Sequence, residues 1–315
     1  MSKGRGGILG IISVAILLVA AVSVQGAVLR VAADGSQPYL TIQAAVNDAS
    51  HGDVIAVTAG TYPEQVVIRD LNDLVLKGEG VTITVPLGGM TGQLVKIVNC
   101  QNFHISGFTL DGKNGLGVVP GVRNSGGDTD TRFYGLFVIN SSGHIVKNHI
   151  MDISWGTGTQ QGNGLYVYVD NAIPQDVNIR ENVITNFQKN GITIYGLVEA
   201  KIHKNTVTGW GETAISAQNC IRLGGDLGMT ASVTDNVISR SNFTPGTWAS
   251  TGILTLSGND NIRIVNNIIS DCLIGIYVIP VSTDCKIINN KFSLNIWDYY
   301  SYEDDTKIHA NKFEY

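Results

Sequence analysis

Charged residues are scarce in this chain. They make up 15% of its 315 residues, against ~25% in a typical soluble domain. The formal net charge of −5 gives no basic surface for nucleic acid or for an anionic membrane. We therefore expect no nucleic-acid partner, and an anionic ligand would need a few local cations or a bridging metal.

Strong helix signals are also lacking, whereas glycine (37 residues), Val, Ile, Thr and Asn are prominent. This composition favours strands and turns. Only four cysteines are present, Cys100, Cys220, Cys272 and Cys285. Their three pairings cannot be told apart from sequence, and the alternative is that all four are small buried hydrophobic residues.

No long apolar run follows residue 26. Before it, Lys3 and Arg5 precede the apolar stretch 8–24, and small residues lead up to Ala27. The pattern predicts a signal peptide at 1–26 and a mature domain at 27–315, secreted or at the cell surface. The alternative is an uncleaved anchor, because the stretch is close to the length that spans a bilayer. Only in that case would the protein contact a membrane.

A repeat occupies the second half of the chain. Short apolar stretches flank an asparagine at intervals of 21 to 34 residues, and a small residue followed by alternating apolar positions precedes each of them. The asparagines are Asn148, Asn182, Asn205, Asn236, Asn267, Asn290 and Asn311. Such a period predicts a solenoid in which each coil has three strands and three corners.

The repeated asparagine is interpreted as structural. Asparagine tolerates left-handed backbone angles, so we expect it at a sharp corner between two strands. Stacked coils would place the side chains about 4.8 Å apart. Their amides could then hydrogen-bond along the stack.

The N-terminal part is predicted to cap this solenoid. Val28–Val31 reads as a strand, and Thr41 precedes a short helical pattern. Residues 27–51 would form the cap and residues 52–315 the coils. Gly60, Tyr62 and Pro63 would form the first corner, with proline ending the strand.

The segments DGSQPYLTIQAAV (34–46), GDVIAVTAGTYPEQVVI (52–68) and LVLKGEG (74–80) carry a family resemblance. With the later repeats, they make residues 28–315 resemble the right-handed parallel β-helix proteins of the pectin-lyase-like superfamily. The resemblance implies an all-β, single-domain β-helix with a short capping helix. Catalytic segments of pectin methylesterases, polygalacturonases and pectate lyases have no counterpart here. CIRLGGD (220–226) is similar to the arginine segment of alginate and chondroitin lyases, but we find no matching lysine upstream.

In such proteins an extended sugar lies over the strand that carries the small-residue motif. Alternation along this strand predicts an outward column with tyrosines and one arginine. Aromatic rings in a row suit the faces of pyranose rings, although parallel sheets also stack like residues without any ligand. The predicted polysaccharide or cell-surface glycan site comprises Tyr166, Tyr168, Tyr195, Tyr277 and Arg222, with Trp155 and Trp210 as walls.

Acidic residues follow the same strand in successive coils, and the predicted catalytic set is Asp170, Glu199, Asp226 and Arg222. At equivalent corners, the carboxylates would lie roughly 5 Å apart per coil, as glycoside hydrolysis requires. They could equally hold Ca²⁺ for a lyase in which Arg222 or a lysine is the base. A separate metal set, Asp111, Asp128 and Asp130, lies on the long segment 111–133.

Two functions therefore remain open. The first is an exported monomeric enzyme, a polysaccharide lyase or a glycoside hydrolase, with Ca²⁺ as its candidate cofactor. The second is a non-catalytic secreted or cell-surface β-helix with a structural or glycan-binding role. Convergence of the acids on the tyrosine groove would favour the enzyme.

Overall fold

The computed structural model describes residues 26–87, 89, 92–113, 132–154, 162–224, 228–244, 248–256, 258–279, 284–302 and 306–314. The predicted signal peptide therefore lies almost entirely outside the described residues. No helix within these ranges is both long and apolar enough to cross a bilayer.

The chain winds into coils whose strands stack in parallel on three faces. Face 1 contains β1 (Val28–Val31), β2 (Val54–Val57), β9 (Gly143–Val146), β12 (Gln175–Arg180), β15 (Val198–His203), β18 (Met229–Thr234), β21 (Asn259–Val265), β24 (Lys286–Ile288) and β27 (Lys307–His309). Face 2 contains β3 (Gly60–Tyr62), β10 (His149–Met151), β13 (Val183–Thr185), β16 (Thr206–Thr213), β19 (Val237–Phe243), β22 (Ile268–Cys272), β25 (Lys291–Ser293) and β28 (Lys312–Glu314). Two long strands, β5 (Val75–Thr84) and β7 (Phe103–Asp111), run from face 1 onto face 2.

Face 3 is a separate nine-stranded sheet. It contains β4 (Val66–Arg69), β6 (Gln93–Val98), β8 (Phe133–Ile139), β11 (Gly162–Tyr168), β14 (Asn190–Tyr195), β17 (Asn219–Gly224), β20 (Thr251–Thr255), β23 (Ile274–Val278) and β26 (Trp297–Ser301). These three stacks around one apolar core confirm the predicted all-β, single-domain parallel β-helix.

The core follows the alternation predicted for the small-residue motif. In β11, Leu165 and Val167 are fully buried, and in β14 the register partners Ile192 and Ile194 are buried as well. The small residue is required by crowding between coils. A Cβ on Gly164 would lie 2.7 Å from the carbonyl oxygen of Gly191, which is too close for any side chain.

The predicted capping helix, α1 (Ile42–Asp48), is confirmed. The Thr41 hydroxyl accepts a hydrogen bond from the Ala44 amide at 3.2 Å, and Ile42 faces the core. The Glu64 carboxylate accepts two further bonds, from the amides of Ile42 at 2.8 Å and Gln43 at 2.9 Å. Glu64, which no sequence pattern indicated, therefore ties the cap to the first coil.

The first corner is built as expected around an aromatic ring. Tyr62 is buried and its hydroxyl donates to the Thr58 carbonyl at 2.9 Å. Strand β3 ends at Tyr62, directly before Pro63. Elsewhere in the core, the four cysteines are buried free thiols.

The predicted asparagine ladder is confirmed along the corner between faces 1 and 2. Each side-chain amide donates to the side-chain oxygen of the asparagine in the next coil. The Nδ2–Oδ1 distances are 3.1 Å for Asn148–Asn182, 3.0 Å for Asn182–Asn205, 3.0 Å for Asn205–Asn236, 2.9 Å for Asn236–Asn267, 2.9 Å for Asn267–Asn290 and 3.1 Å for Asn290–Asn311. The ladder is therefore a continuous buried polar network.

The prediction that asparagine itself takes the left-handed backbone conformation is wrong. The residue before each asparagine does so, and its φ lies between 54° and 59° at Lys147, Glu181, Lys204, Asp235, Asn266, Asn289 and Ala310. This turn directs the asparagine side chain into the corner, where the hydrogen bonds are made. The preceding position places few demands on its own side chain, which explains why its identity varies.

We expect glycine at such a position to stabilise the protein. In Lys204→Gly the strain of the left-handed conformation is removed, at some cost in chain entropy, for a net gain of about 0.5–1 kcal/mol in the free energy of unfolding. Lys201→Gly is the control. Lys201 lies in β15, where the backbone is extended, so glycine there should lower the free energy of unfolding. Urea unfolding measures both, and an equal loss in the two variants would argue against backbone strain at Lys204.

Candidate functional site

A cleft of ≈ 350 Å³ opens on the outer surface of face 3. Its walls come from β11, β14, β17 and the chain just before β8 and β14. It is lined by Arg132, Asn163, Tyr166, Tyr168, Lys189, Asn190, Thr193, Tyr195 and Arg222. The cleft therefore combines three cationic side chains with three tyrosines.

The tyrosines stand where the strand alternation placed them. Tyr166 of β11 is in register with Thr193 of β14, and Tyr168 is in register with Tyr195. The rings of Tyr168 and Tyr195 stack with centroids 5.5 Å apart, while Tyr166 is nearly buried. Burial, followed by the charge of Asp170, raises the pKa of Tyr168. Its hydroxyl therefore stays protonated and able to donate over a wide pH range.

Lys189 is the residue that most changes the interpretation of this cleft. It is half-buried and its Nζ donates to the carbonyl of Ala217 at 2.6 Å. Burial, with smaller contributions from the positive charges of Arg222 and Arg132, lowers the pKa of Lys189 to about 8. A substantial fraction of this amine is therefore neutral at mildly alkaline pH.

The backbone of Lys189 is fixed on both sides. Its N–H donates to the carbonyl of Gly162 at 2.7 Å, and its carbonyl accepts from the Asn219 N–H at 2.9 Å. These bonds tie the start of β14 to the coils before and after it. The backbone that carries the amine is therefore fixed within the solenoid, one coil before strand β17, which carries Arg222.

Arg222 occupies the position predicted for it. In β17 it is in register with Thr193 on one side and Leu254 on the other, facing outward into the cleft. Its guanidinium is half-buried, and burial lowers the pKa of Arg222 from its very high ordinary value. It remains a cation near neutral pH, since an arginine is otherwise always protonated.

A second asparagine ladder supports the cleft. Asn190 donates to Asn163 at 2.7 Å, Asn219 donates to Asn190 at 2.9 Å, and the Thr251 hydroxyl donates to Asn219 at 2.9 Å. This ladder was not predicted from the sequence. The signal was present, because these residues directly precede the small residue of each motif, in NGL, NGI, NCI and TGI.

The remaining predicted binding residues lie elsewhere. Tyr277 is on face 3 but beyond the cleft, with its ring 5.6 Å from that of Tyr300. Trp210 belongs to β16 on face 2 and is not among the residues that line the cleft. Trp155 lies outside the described residues.

Neither Asp170 nor Glu199, the two predicted acids that the structure describes, is among the residues that line the cleft. Asp170 follows β11 and exchanges hydrogen bonds with Asn140. Glu199 lies on face 1, in register with Asp176 and 3.3 Å from the amine of Lys201. Asp170 and Glu199 therefore do not occupy equivalent corners.

Turn length explains this difference between the two acids. Residues 169–174 separate β11 from β12, whereas only residues 196 and 197 separate β14 from β15. Asp170 stands within the long turn, six residues after Gly164, whereas Glu199, eight residues after Gly191, has already passed the short turn and lies in β15 on face 1. Asp226 lies outside the described residues.

The predicted metal set is only partly described. Asp111 ends β7 and accepts a bond from the Lys113 amide at 2.9 Å, while Lys113 pairs with Asp152 at 3.1 Å. Burial raises the pKa of Asp111. Asp128 and Asp130 lie outside the described residues, and among those described no group of three His, Cys, Asp or Glu side chains is arranged to hold a metal ion.

Comparison with solved structures gives the same fold at low sequence identity. An alginate lyase from Paenibacillus sp. str. FPU-7 matches with a TM-score of 0.56 and 14% identity, covering 91% of this chain and 95% of that one. A pectin methylesterase from Erwinia chrysanthemi matches with a TM-score of 0.44 and 10% identity, covering 90% and 92%. The A-module of a mannuronan C-5 epimerase from Azotobacter vinelandii matches with a TM-score of 0.39 and 16% identity, covering 87% and 92%.

At these identities, the likeness shows the fold alone. No curated protein matches the chain. The model of the right-handed β-helix region matches residues 134–313, more than half of the chain. The protein therefore belongs to the right-handed β-helix family, with the fold of the pectin-lyase-like superfamily.

Proposed function

We propose that this protein is a polysaccharide lyase that cleaves a uronate-containing polysaccharide by β-elimination in the face 3 cleft. The observation that carries the proposal is Lys189, a half-buried amine with a pKa lowered to about 8, beside Arg222 in a tyrosine-lined cleft. An amine of this kind suits a general base.

The charge of the cleft favours an acidic sugar. Arg132, Lys189 and Arg222 all line it, and no carboxylate stands among the described residues of its lining. This local positive charge contrasts with the net charge of −5 for the whole chain. An arginine binds a carboxylate through two parallel hydrogen bonds, so Arg222 suits the uronate and the tyrosine rings suit the sugar faces.

The proposed reaction balances without water. Arg222 neutralises the uronate carboxylate, which acidifies the proton on C5. Neutral Lys189 takes this proton, the electron pair forms the C4=C5 double bond, and the C4–O bond breaks. The leaving oxygen takes a proton from the Tyr168 hydroxyl, whose raised pKa keeps it protonated.

Glycoside hydrolysis receives less support from the same geometry. It needs two carboxylates flanking the scissile bond, and Glu199 is on face 1. Calcium remains a separate proposal, because Asp128, Asp130 and Asp226 lie outside the described residues. In the proposed reaction the side-chain cations neutralise the uronate, and a comparison with Ca²⁺ and with chelator tests whether a metal adds to this.

We expect kcat/KM to rise with pH through about 8. Because burial and neighbouring cations lower the pKa of Lys189, the neutral amine gains population as the pH passes this value, and the rate follows the base. The measurement is a pH–rate profile on a polyuronate from about pH 6 to about pH 9. A rate that is flat or falls over this range would exclude Lys189 as the base.

The proposal is tested by incubating the protein with polyuronates and with neutral polysaccharides. Absorbance of the unsaturated uronate and new reducing ends should appear together, on polyuronates alone. Reducing ends without absorbance would indicate a hydrolase. Retarded migration in polyuronate gels without any product would indicate the non-catalytic glycan-binding module.

Export is a separate proposal that rests on the pattern in residues 1–26. We expect the mature protein to begin near Ala27 and to reach the cell surface or the medium. N-terminal sequencing of the protein recovered outside the cells tests this. Recovery of only the full-length chain in the membrane fraction would support the uncleaved anchor.

A further inference from the structure

Three tyrosines form a second aromatic surface on face 3, which we call the aromatic platform. It consists of Tyr277 in β23, Tyr300 in β26 and Tyr302 just after it. Tyr277 lies 5.6 Å from Tyr300 and 6.1 Å from Tyr302 between ring centroids, and Tyr300 and Tyr302 are 5.0 Å apart. The three rings pack against one another.

Two of the platform rings, Tyr300 and Tyr302, are open to solvent, unlike the deepest ring of the cleft, and Tyr277 is half-buried. Tyr300 is 41% exposed and Tyr302 is 59% exposed, whereas Tyr166 is 8% exposed. Trp297, in the same strand as Tyr300, is 60% exposed. Large aromatic groups clustered at a surface mark binding sites more often than isolated ones do.

The strand register places the platform in line with the cleft. Arg222 pairs with Leu254, Leu254 with Tyr277, and Tyr277 with Tyr300. At about 4.8 Å per strand, Tyr277 is about 10 Å and Tyr300 about 14 Å from Arg222 along the helix axis. One sugar ring cannot reach from the cleft to the platform, but an extended polysaccharide lying along face 3 can.

We propose that the aromatic platform is a second glycan subsite, which binds the part of the same polysaccharide chain that extends beyond the cleft. The inference rests on the proposed function and adds to it a preference for long chains. Rings that carry a hydroxyl at the edge can stack on a sugar face and hydrogen-bond its hydroxyls. The shared face and the unbroken register from Arg222 through Leu254 and Tyr277 to Tyr300 argue for one continuous chain.

The test compares binding of a long polyuronate with binding of an oligosaccharide too short to pass Leu254. Binding is measured in the Lys189→Gln background, so that cleavage does not interfere. Tyr300→Ala and Tyr302→Ala should each weaken polymer binding about three- to tenfold, the effect of one lost aromatic contact. Binding of the short oligosaccharide should not change.

Phe313→Ala is the matched control. Phe313 is 40% exposed, close to the 41% of Tyr300, but it lies on face 2 and stacks on Phe292. It should bind the polymer as the parent does. Tyr300→Phe keeps the ring and should retain most of the affinity, and Tyr302→Ala alone carries the test if Tyr300→Ala does not fold.

Unchanged polymer affinity in folded Tyr302→Ala and Tyr300→Ala would overturn the inference, and the platform would then serve only to cover the last coils. Equal losses for the polymer and the short oligosaccharide would also overturn it. The lyase proposal can be contradicted independently of this inference. A wild-type protein that binds polymer through the platform but forms no unsaturated product would contradict the lyase alone.

Discussion

Replacement of Lys189 by glutamine is expected to lower kcat on a polyuronate by about 10²–10⁴-fold, the usual contribution of a general base. Glutamine is one atom shorter than lysine but keeps a neutral N–H donor on the side that faces the Ala217 carbonyl, which Nζ contacts at 2.6 Å. It cannot accept the C5 proton. The loss should therefore appear in kcat far more than in KM, as expected for an interaction made in the transition state.

Lys201→Gln provides the control for this variant. Lys201 is a lysine of β15 on face 1, with 59% of its side chain exposed and a salt bridge to Glu199. Its substitution should leave the rate unchanged. Unfolding in urea checks that both variants are intact. A folded Lys189→Gln enzyme with nearly the wild-type kcat would show that another group removes the proton.

Substitution of Asn236 by alanine is expected to cost about 3 kcal/mol in the free energy of unfolding. The Asn236 amide donates to the Ile202 carbonyl and to Asn267, both at 2.9 Å. Its oxygen accepts from the backbone N–H of Asn205 at 2.9 Å and from the Asn205 amide at 3.0 Å. Alanine leaves several of these buried groups without partners, and each such group costs about 1–3 kcal/mol before relaxation.

Asn311→Ala is the matched substitution at the end of the same ladder. Asn311 is half-buried, accepts from the backbone N–H and the side-chain amide of Asn290, and donates to the Ile287 carbonyl at 3.0 Å. We expect it to cost about 1 kcal/mol or less, because water can satisfy the released groups. Urea unfolding measures the difference between the two variants. Equal costs would mean that the ladder is not a cooperative network.

The fold could be predicted from sequence because a solenoid repeats its own constraints. Seven aligned asparagines and a recurring small residue carry the coil period, and the crowding at Gly164 shows why this position keeps a small residue. The left-handed position before each asparagine could not be identified in the same way. Its side chain points away from the core, so Lys147, Glu181 and Ala310 all occupy it and no residue pattern remains.

The candidate site could be predicted only in part. Alternation along the strands correctly placed Tyr166, Tyr168, Tyr195 and Arg222 on one surface. Lys189 was not predicted because it stands in a turn, one coil before Arg222. A lysine in a turn is ordinarily interpreted as a solvated residue. Lys189 is distinguished by its burial and by the neighbouring cations, which lower its pKa. Both depend on which residues of adjacent coils come together, and the number of residues per coil varies.

The acids were misplaced for a related reason. Counting from the small-residue motif assumes that every turn has the same length, and the turns after β11 and β14 do not. Glu199 therefore reaches face 1, where it meets Asp176 and Lys201. Strand positions are fixed by the core, whereas turn residues are fixed by loop lengths that a periodic pattern does not record.

The most direct test of the account is the mass of the oligosaccharides released from a polyuronate. Elimination adds no water, so the products should carry a C4=C5 double bond at one end and be one water lighter than the corresponding hydrolysis products. These should be formed by wild-type protein and be absent with Lys189→Gln. Saturated products of full hydrolytic mass, or unsaturated products formed equally by both proteins, would contradict the assignment of Lys189 as the base of a lyase.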